Sequence, residues 1–319
     1  MRKILINRDL DALALKYYQQ LENCAIVSKI RNELYELIKD IDRANHLDYI
    51  RYLLFIRQNL RDIIIMHPVD FLSFDAVLAL LFNCDMGWNA WKSGKTESFA
   101  KRLCKAMCYD DVRKSVFPRI VPALGVKTCV YCNMQYALTR DVDADMSAYY
   151  ELDHAWPKSK YPYLAVSFFN LQPCCGPCNR RKSDDELTYS IYVEEPRPST
   201  VRFEIDNESL IEYILTHKTN CIQVGMKVKD PLLDQLYDRI GVKKLYKLMD
   251  EEAEEMIWKA KIYNASYLTQ LYQTNKGLFE NTSSNIFRLL YGVYSGEENV
   301  YTRPLTKFRQ DIAKQLNLS

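Results

Sequence analysis

Apolar residues recur at Ile26, Ile30, Leu34, Leu37 and Ile41, and again at Leu47, Ile50 and Leu54, with polar residues filling the gaps. Intervals of three and four put such residues on one face of a helix, so both stretches predict amphipathic helices. His67-Pro68 closes the second, and Asp70 to Phe82 predicts a third, followed by Gly87 and the turn Lys92-Ser93-Gly94-Lys95. Trp88 and Trp91 are expected to pack as core. Between Val121 and Asp185 the periodicity stops, prolines 122, 157, 162, 173 and 177 cluster, and cysteines come in pairs. A small loop-rich module is expected there. Beyond it, Val201 to Ile205 and Ile222 to Val228 alternate apolar with polar residues and predict two strands. Helical spacing then returns in Leu232, Leu236 and Ile240, in one long helix over Glu251 to Tyr272, and in a shorter one over Asn285 to Tyr294.

Nine glycines and eleven prolines in 319 residues are too few for an all-β chain of many tight turns. The expected class is α+β: a mainly helical chain with one embedded small module. The divisions are a helical region over 1–118, the module over 119–190, and short strands then helices over 191–319. With 48% hydrophobic residues and a net charge of +2, global disorder is excluded. Arg8, Asp9, Asp11 and Lys16 interrupt any export signal, and the apolar runs at Ile63–Ile65 and Ala76–Phe82 fall short of the 18 or so residues of a membrane span. A soluble cytoplasmic protein with no membrane partner is expected. Its ten cysteines then read as metal ligands and buried thiols rather than a disulfide framework.

Cys129-Val-Tyr-Cys132 and Cys175-Gly-Pro-Cys178 are two CxxC knuckles with 42 residues between them. A two-residue gap lets both thiolates of a turn reach one tetrahedral ion, and two knuckles complete a four-cysteine structural zinc site. The intervening loop exceeds the usual roughly 15 to 20 residues of a zinc ribbon, so chemistry is to be sought inside it. Cys174 adjoins the second knuckle and could stand in for Cys175, although the CxxC register favours Cys175 with Cys178. Cys104 and Cys108 read as buried thiols.

The insertion contains Asp153-His154 followed by Pro157, then Asn170-Leu171, then Cys175, Cys178, Asn179 and Lys182. In that order these residues resemble the HNH endonuclease family, whose pattern runs CxxC, Asp-His with a following proline, Asn-Leu, and CxxC-Asn-x-x-Lys. The resemblance covers about 60 of the 319 residues. It implies a zinc-stabilised ββα-metal fold for the module, His154 as general base, Asp153 and Asn179 as ligands of a catalytic divalent ion, and Asn170 orienting the histidine. The motif's final position is often histidine in the family and here is Asn179. The wording around Asp153 and Cys175 looks most like prokaryotic anti-phage nucleases of the Septu type, which accompany an ATPase. That implies a possible ATPase partner protein.

The residue chemistry agrees with these roles. Phosphodiester hydrolysis needs a base for the attacking water and a cation for the charge developing on phosphate. Asp153 and Asn179 offer hard oxygens suited to Mg²⁺ or Mn²⁺, and His154 has an ordinary pKa near neutrality. Adjacent residues on an extended segment face opposite sides, so Asp153 and His154 can serve different partners. Glu151 also lies near and could reach the metal, although it reads more simply as a solvated carboxylate. Between Pro118 and Ser183, eight basic residues face five acidic ones, three of the acids at 141, 143 and 145. Lys158, Lys160, Arg180, Arg181 and Lys182 are therefore expected to contact the phosphates of a nucleic acid. Tyr131, Trp156, Tyr161 and Tyr163 either stack on bases or pack the module. No sequence-reading element is present, and DNA is favoured over RNA by resemblance alone, without excluding RNA. The expected function is metal-dependent endonucleolytic hydrolysis of DNA in anti-phage defence. The rival is a zinc-stabilised nucleic-acid-binding or scaffold protein without catalysis.

Overall fold

The computed structural model describes residues 1–142, 145–183, 189–277 and 282–317, leaving aside the side chains of 141, 142, 145, 146, 265, 282 and 283. The expected acidic group at 141, 143 and 145 lies outside those described side chains. The chain is mainly helical with four two-stranded sheets among the described residues. After strand β1 (Ile4–Leu5), helix α1 (Arg8–Asn23) starts where the Asn7 side chain accepts from the Leu10 amide at 3.0 Å, satisfying a donor the first turn leaves free. Helix α2 (Ile26–Lys39) buries Ile26, Ile30, Leu34 and Leu37 as the periodicity requires. Helix α3 (Leu47–Gln58) turns Ile50, Leu53 and Ile56 inward but leaves Leu47 and Leu54 exposed. Helices α4 (Leu60–Ile65) and α5 (Phe71–Leu81) lie on either side of His67-Pro68. Trp91 is buried and Trp88 half-buried, their rings 4.7 Å apart against Phe99, which is the expected packing role.

Helix α6 (Phe99–Ala106), the single turn α7 (Tyr109–Asp111), a π-helical turn over Val112–Val116 and α8 (Phe117–Ile120) lead into the module. There a hairpin of β2 (Leu138–Val142) and β3 (Asp145–Tyr149) precedes β4 (Glu151–His154), β5 (Leu171–Cys174) and helix α9 (Gly176–Lys182). Strand β6 (Tyr192–Val193) pairs in parallel with β1, Ile4 opposite Tyr192, so the chain after α9 returns to the N-terminal strand. The Tyr17 hydroxyl on α1 donates to the Val166 carbonyl at 2.9 Å, and its ring packs against Phe117 and Phe168. One continuous apolar core therefore runs from the first helices through the module into the C-terminal region.

The predicted strands form as β7 (Val201–Ile205) and β8 (Val224–Val228), antiparallel and separated by α10 (Asn207–Thr216). Helices α11 (Pro231–Ile240), α12 (Val242–Tyr246), α13 (Asp250–Ile262), α14 (Ala265–Thr274), α15 (Thr282–Tyr291) and α16 (Thr306–Gln315) follow. The single long helix expected over Glu251–Tyr272 is two helices. Tyr263 leaves helical geometry and the Asn264 side chain accepts from the Tyr267 amide at 3.0 Å, starting α14 anew. In α11 the buried stripe is Leu233, Leu236, Tyr237 and Ile240, while Leu232 is exposed next to the capping Asp230. No described helix is long and apolar enough to cross a membrane.

Candidate active site

Strands β4 and β5 pair antiparallel with Glu151 opposite Cys174, Asp153 opposite Gln172 and His154 opposite Leu171. Four residues after His154 leaves the strand, Lys158 has already begun a loop that Asn170 closes, and β5 delivers the chain into α9. Pro177 sits in the first turn of α9, where its missing N–H removes no helical bond, and the left-handed Ser183 ends it. This strand, loop, strand and helix bring the second CxxC pair back to the first.

The Sγ atoms of Cys129, Cys132, Cys175 and Cys178 all lie within 4.8 Å of one another and are buried. Tetrahedral Zn–S bonds of about 2.3 Å require sulfurs about 3.8 Å apart, and Cys132 and Cys175 stand at 3.9 Å. No cysteine is in a disulfide. The cluster could hold a metal ion, and its all-sulfur donor set fits zinc. Burial pushes the Cys129 thiol well above its ordinary range, because a bare thiolate is disfavoured away from water. Cys174 is excluded from the set, because strand alternation turns its sulfur toward the Glu151 carbonyl at 3.6 Å. Asn133 follows the first knuckle with φ of 52°, its amide donating to Thr128 and to the Val300 carbonyl, while Tyr246 donates to the Cys132 carbonyl at 2.7 Å. The C-terminal region thus holds the knuckle in place.

Asp153 and His154 point to different partners, as alternation demands. The Asp153 carboxylate is only 5% exposed as a residue and accepts from the Tyr131 hydroxyl. The Lys182 ammonium lies 3.0 Å from its Oδ2 and 3.2 Å from its Oδ1, and also donates to the His154 carbonyl at 2.9 Å. Burial pushes the Asp153 carboxyl up, and the Lys182 charge opposes that rise. Lys182 is itself 1% exposed. The pair is a buried ion pair, further hydrogen-bonded by the Tyr131 hydroxyl and the His154 carbonyl.

The His154 ring nitrogen Nε2 lies 2.9 Å from the Ala165 carbonyl oxygen, which can only accept. Nε2 therefore carries the proton and Nδ1 the bare lone pair. The ring packs on Tyr109 with centroids 4.7 Å apart, and burial pushes its pKa down to about 3, keeping the imidazole neutral. Among the described residues Asn170 makes no hydrogen bond to the imidazole. Its side chain accepts from the Trp156 amide at 2.7 Å and donates to the carbonyls of Trp156 and Leu164 at 3.1 and 3.0 Å. It ties both ends of the loop that carries Ala165, and orients His154 only through that carbonyl.

A cavity of about 390 Å³ opens beside these groups, lined by Glu151, Asp153, His154 and Asn179 and by Tyr109 and Lys158. Asn179 Nδ2 donates to Glu151 Oε2 at 2.7 Å, and Arg180 reaches Glu151 Oε1 at 3.3 Å. The five expected phosphate contacts separate. Lys158 lines the cavity with its ammonium 4.3 Å from the Tyr109 ring centre, and Arg180 stands at the cavity through Glu151. Lys160 lines a different pocket beside Asp75 and Tyr161, Arg181 donates to the Ile240 carbonyl on α11, and Lys182 is buried. Successive residues on α9 point about 100° apart, so a run of three bases cannot share one face. Tyr161 and Tyr163 are buried and Tyr131 fully so, which makes them packing groups. Tyr109 and Arg113 also reach the cavity, from the helical flank, and carry no motif that sequence could flag. Glu151 carried one signal, its two-residue spacing from Asp153 on a strand.

In comparisons with family models, curated proteins and solved structures, nothing matches this chain.

Proposed function

We propose that this chain is a metal-dependent endonuclease of the HNH type, hydrolysing DNA phosphodiesters, with a structural zinc at the four cysteines. One observation carries the reading. A neutral imidazole, proton-bearing on the nitrogen bound to Ala165 and bare on the other, lines the same cavity as the oxygen donors Asp153, Glu151 and Asn179. The order of motif residues that resembles the HNH family supports it independently. In this reading His154 Nδ1 takes the proton of the attacking water, and the Ala165 carbonyl steadies the imidazolium that results. Oxygen donors at the β4–α9 seam fit a hard cation such as Mg²⁺ or Mn²⁺, which supplies charge to the scissile phosphate when bound. Lys158 and Arg180 hold the flanking backbone of the polyanion. A role in prokaryotic antiviral defence, in the cytoplasm and with an ATPase partner, follows from the resemblance alone.

The buried Asp153–Lys182 pair is the observation that favours the rival, a zinc-stabilised binding protein without catalysis, because it engages the carboxylate the motif assigns to the cation. The two readings part on plasmid DNA with Mg²⁺ or Mn²⁺. The endonuclease reading expects nicking by the native chain and none by His154→Ala, with equal zinc content. Equal cleavage by both, or none by either, overturns it.

A further inference from the structure

We infer that Glu151, paired with Asn179, supplies the main carboxylate ligand of the divalent cation, and that Asp153 is a positioning residue whose charge is already matched by Lys182. This rests on the cation-dependent part of the proposed function and names the residues that would carry it. The two carboxylates share one face of β4, two residues apart, but their surroundings differ. Asp153 is nine-tenths buried and hydrogen-bonded by Tyr131, with Lys182 bonded to both of its oxygens. Freeing it would drag an ammonium that is 1% exposed away from two partners, Asp153 and the His154 carbonyl. A dication beside Asp153 with Lys182 in place would also face a like charge a few ångströms off.

Glu151 has no such tie. Its cavity partners are the Asn179 amide and the Arg180 guanidinium, whose side chain is 70% exposed. An exposed ion pair of that kind is weak and readily exchanged. Asn179 meets Glu151 through Nδ2, and a half-turn of its amide puts Oδ1 in that place, which turns the contact into two oxygen donors facing one point. The bare Nδ1 of His154, a residue 6% exposed that lines the same cavity, has no partner among the described residues. Release of Arg180 from Glu151 would leave that guanidinium for a phosphate.

The test titrates MnCl₂ into the zinc-loaded full chain by calorimetry, without DNA. Glu151→Gln should weaken Mn²⁺ binding at least ten-fold, and Asp153→Asn should weaken it less while lowering the denaturation midpoint more. Because Glu151 is partly exposed, Glu151→Gln is expected to fold, and retained zinc with an unchanged midpoint checks this. Unaltered Mn²⁺ affinity in Glu151→Gln, or a larger loss in a zinc-loaded Asp153→Asn, overturns the inference. His154→Ala separates it from the nuclease reading. If that variant binds Mn²⁺ normally and loses cleavage while Glu151→Gln binds normally too, the inference falls and the nuclease stands. If Glu151→Gln loses Mn²⁺ but His154→Ala cleaves like the native chain, the cation site stands and the proposed mechanism falls.

Discussion

Replacing Lys182 by Met removes the ammonium while keeping most of the apolar stem, so it asks what the charge alone contributes. The structure sets the size of the answer. Asp153 would remain in a site 5% exposed, holding Tyr131 but no counter-charge, and the His154 carbonyl would lose a donor. Breaking one side of a buried, hydrogen-bonded ion pair costs about 3–5 kcal/mol. With a urea slope on the order of 3 kcal/mol per molar for a chain of this size, the midpoint should fall by about 1 M or more. Asp153→Asn alone should also destabilise, because it strands the ammonium. The double variant should recover most of the loss, since neither charge is then left buried, and about 1 kcal/mol should persist for the lost bond to His154. The assay is urea unfolding of the four proteins followed by tryptophan fluorescence, with zinc content measured in each. A Lys182→Met cost below about 1 kcal/mol, or simple addition of the two single effects, would refute the claim that the two side chains form a coupled buried pair.

His154 has a folded-state pKa pushed down to about 3, whereas the unfolded chain binds a proton near 6.5. Between those values the unfolded state holds the extra proton, so stability should fall as pH drops below 6.5, by about 2 kcal/mol at pH 5. His154→Gln should lack that component, and superimposable pH profiles of the two proteins would show the reasoning wrong. At the sulfur cluster, Cys175→Ser should abolish stoichiometric zinc and unfold much of the module, while Cys174→Ser keeps its zinc; metal analysis by mass spectrometry decides, and loss in both would return the ligand register to question. Lys158→Ala should reduce the salt dependence of DNA binding by about one phosphate contact, and Arg181→Ala, bonded to Ile240 on α11, should leave it unchanged. Fluorescence anisotropy across a salt series measures both slopes, and identical losses would mean that α9 presents a wider basic face than its contacts allow.

How far the sequence reached follows from which forces are local. Helix α2 was legible because every third or fourth residue must be buried, and that spacing is written in the chain. The break at Tyr263 was not, because periodicity continues across it and only the capping bond from Asn264 interrupts the backbone. In the site, the cysteine register and the Asp153-His154 alternation were legible because covalent spacing on a turn or a strand dictates them. The partners of Asp153 were not, since Tyr131 and Lys182 meet it across three separate segments. The basic run Arg180-Arg181-Lys182 was not legible as separate contacts, because adjacency in sequence is not adjacency in space on a helix. On α9 those side chains go to Glu151, to Ile240 and into the core.

That divergence bears on how the cavity is built. The imidazole is held neutral by burial, and part of that burial comes from Tyr109, a residue outside the motif whose hydroxyl donates to the Leu152 carbonyl on β4 at 2.8 Å. The loop bearing the Ala165 carbonyl is braced by Tyr17 of α1 through Val166, and by Asn170 within the module. The first knuckle is braced by Tyr246 and by Asn133's bonds to the C-terminal region. A module of this size exposes too much of its surface to fix the His154 ring against the Ala165 carbonyl on its own. The helical flanks supply that bracing through Tyr17, Tyr109 and Tyr246. Perturbing Tyr109 or Tyr17 should therefore reach His154.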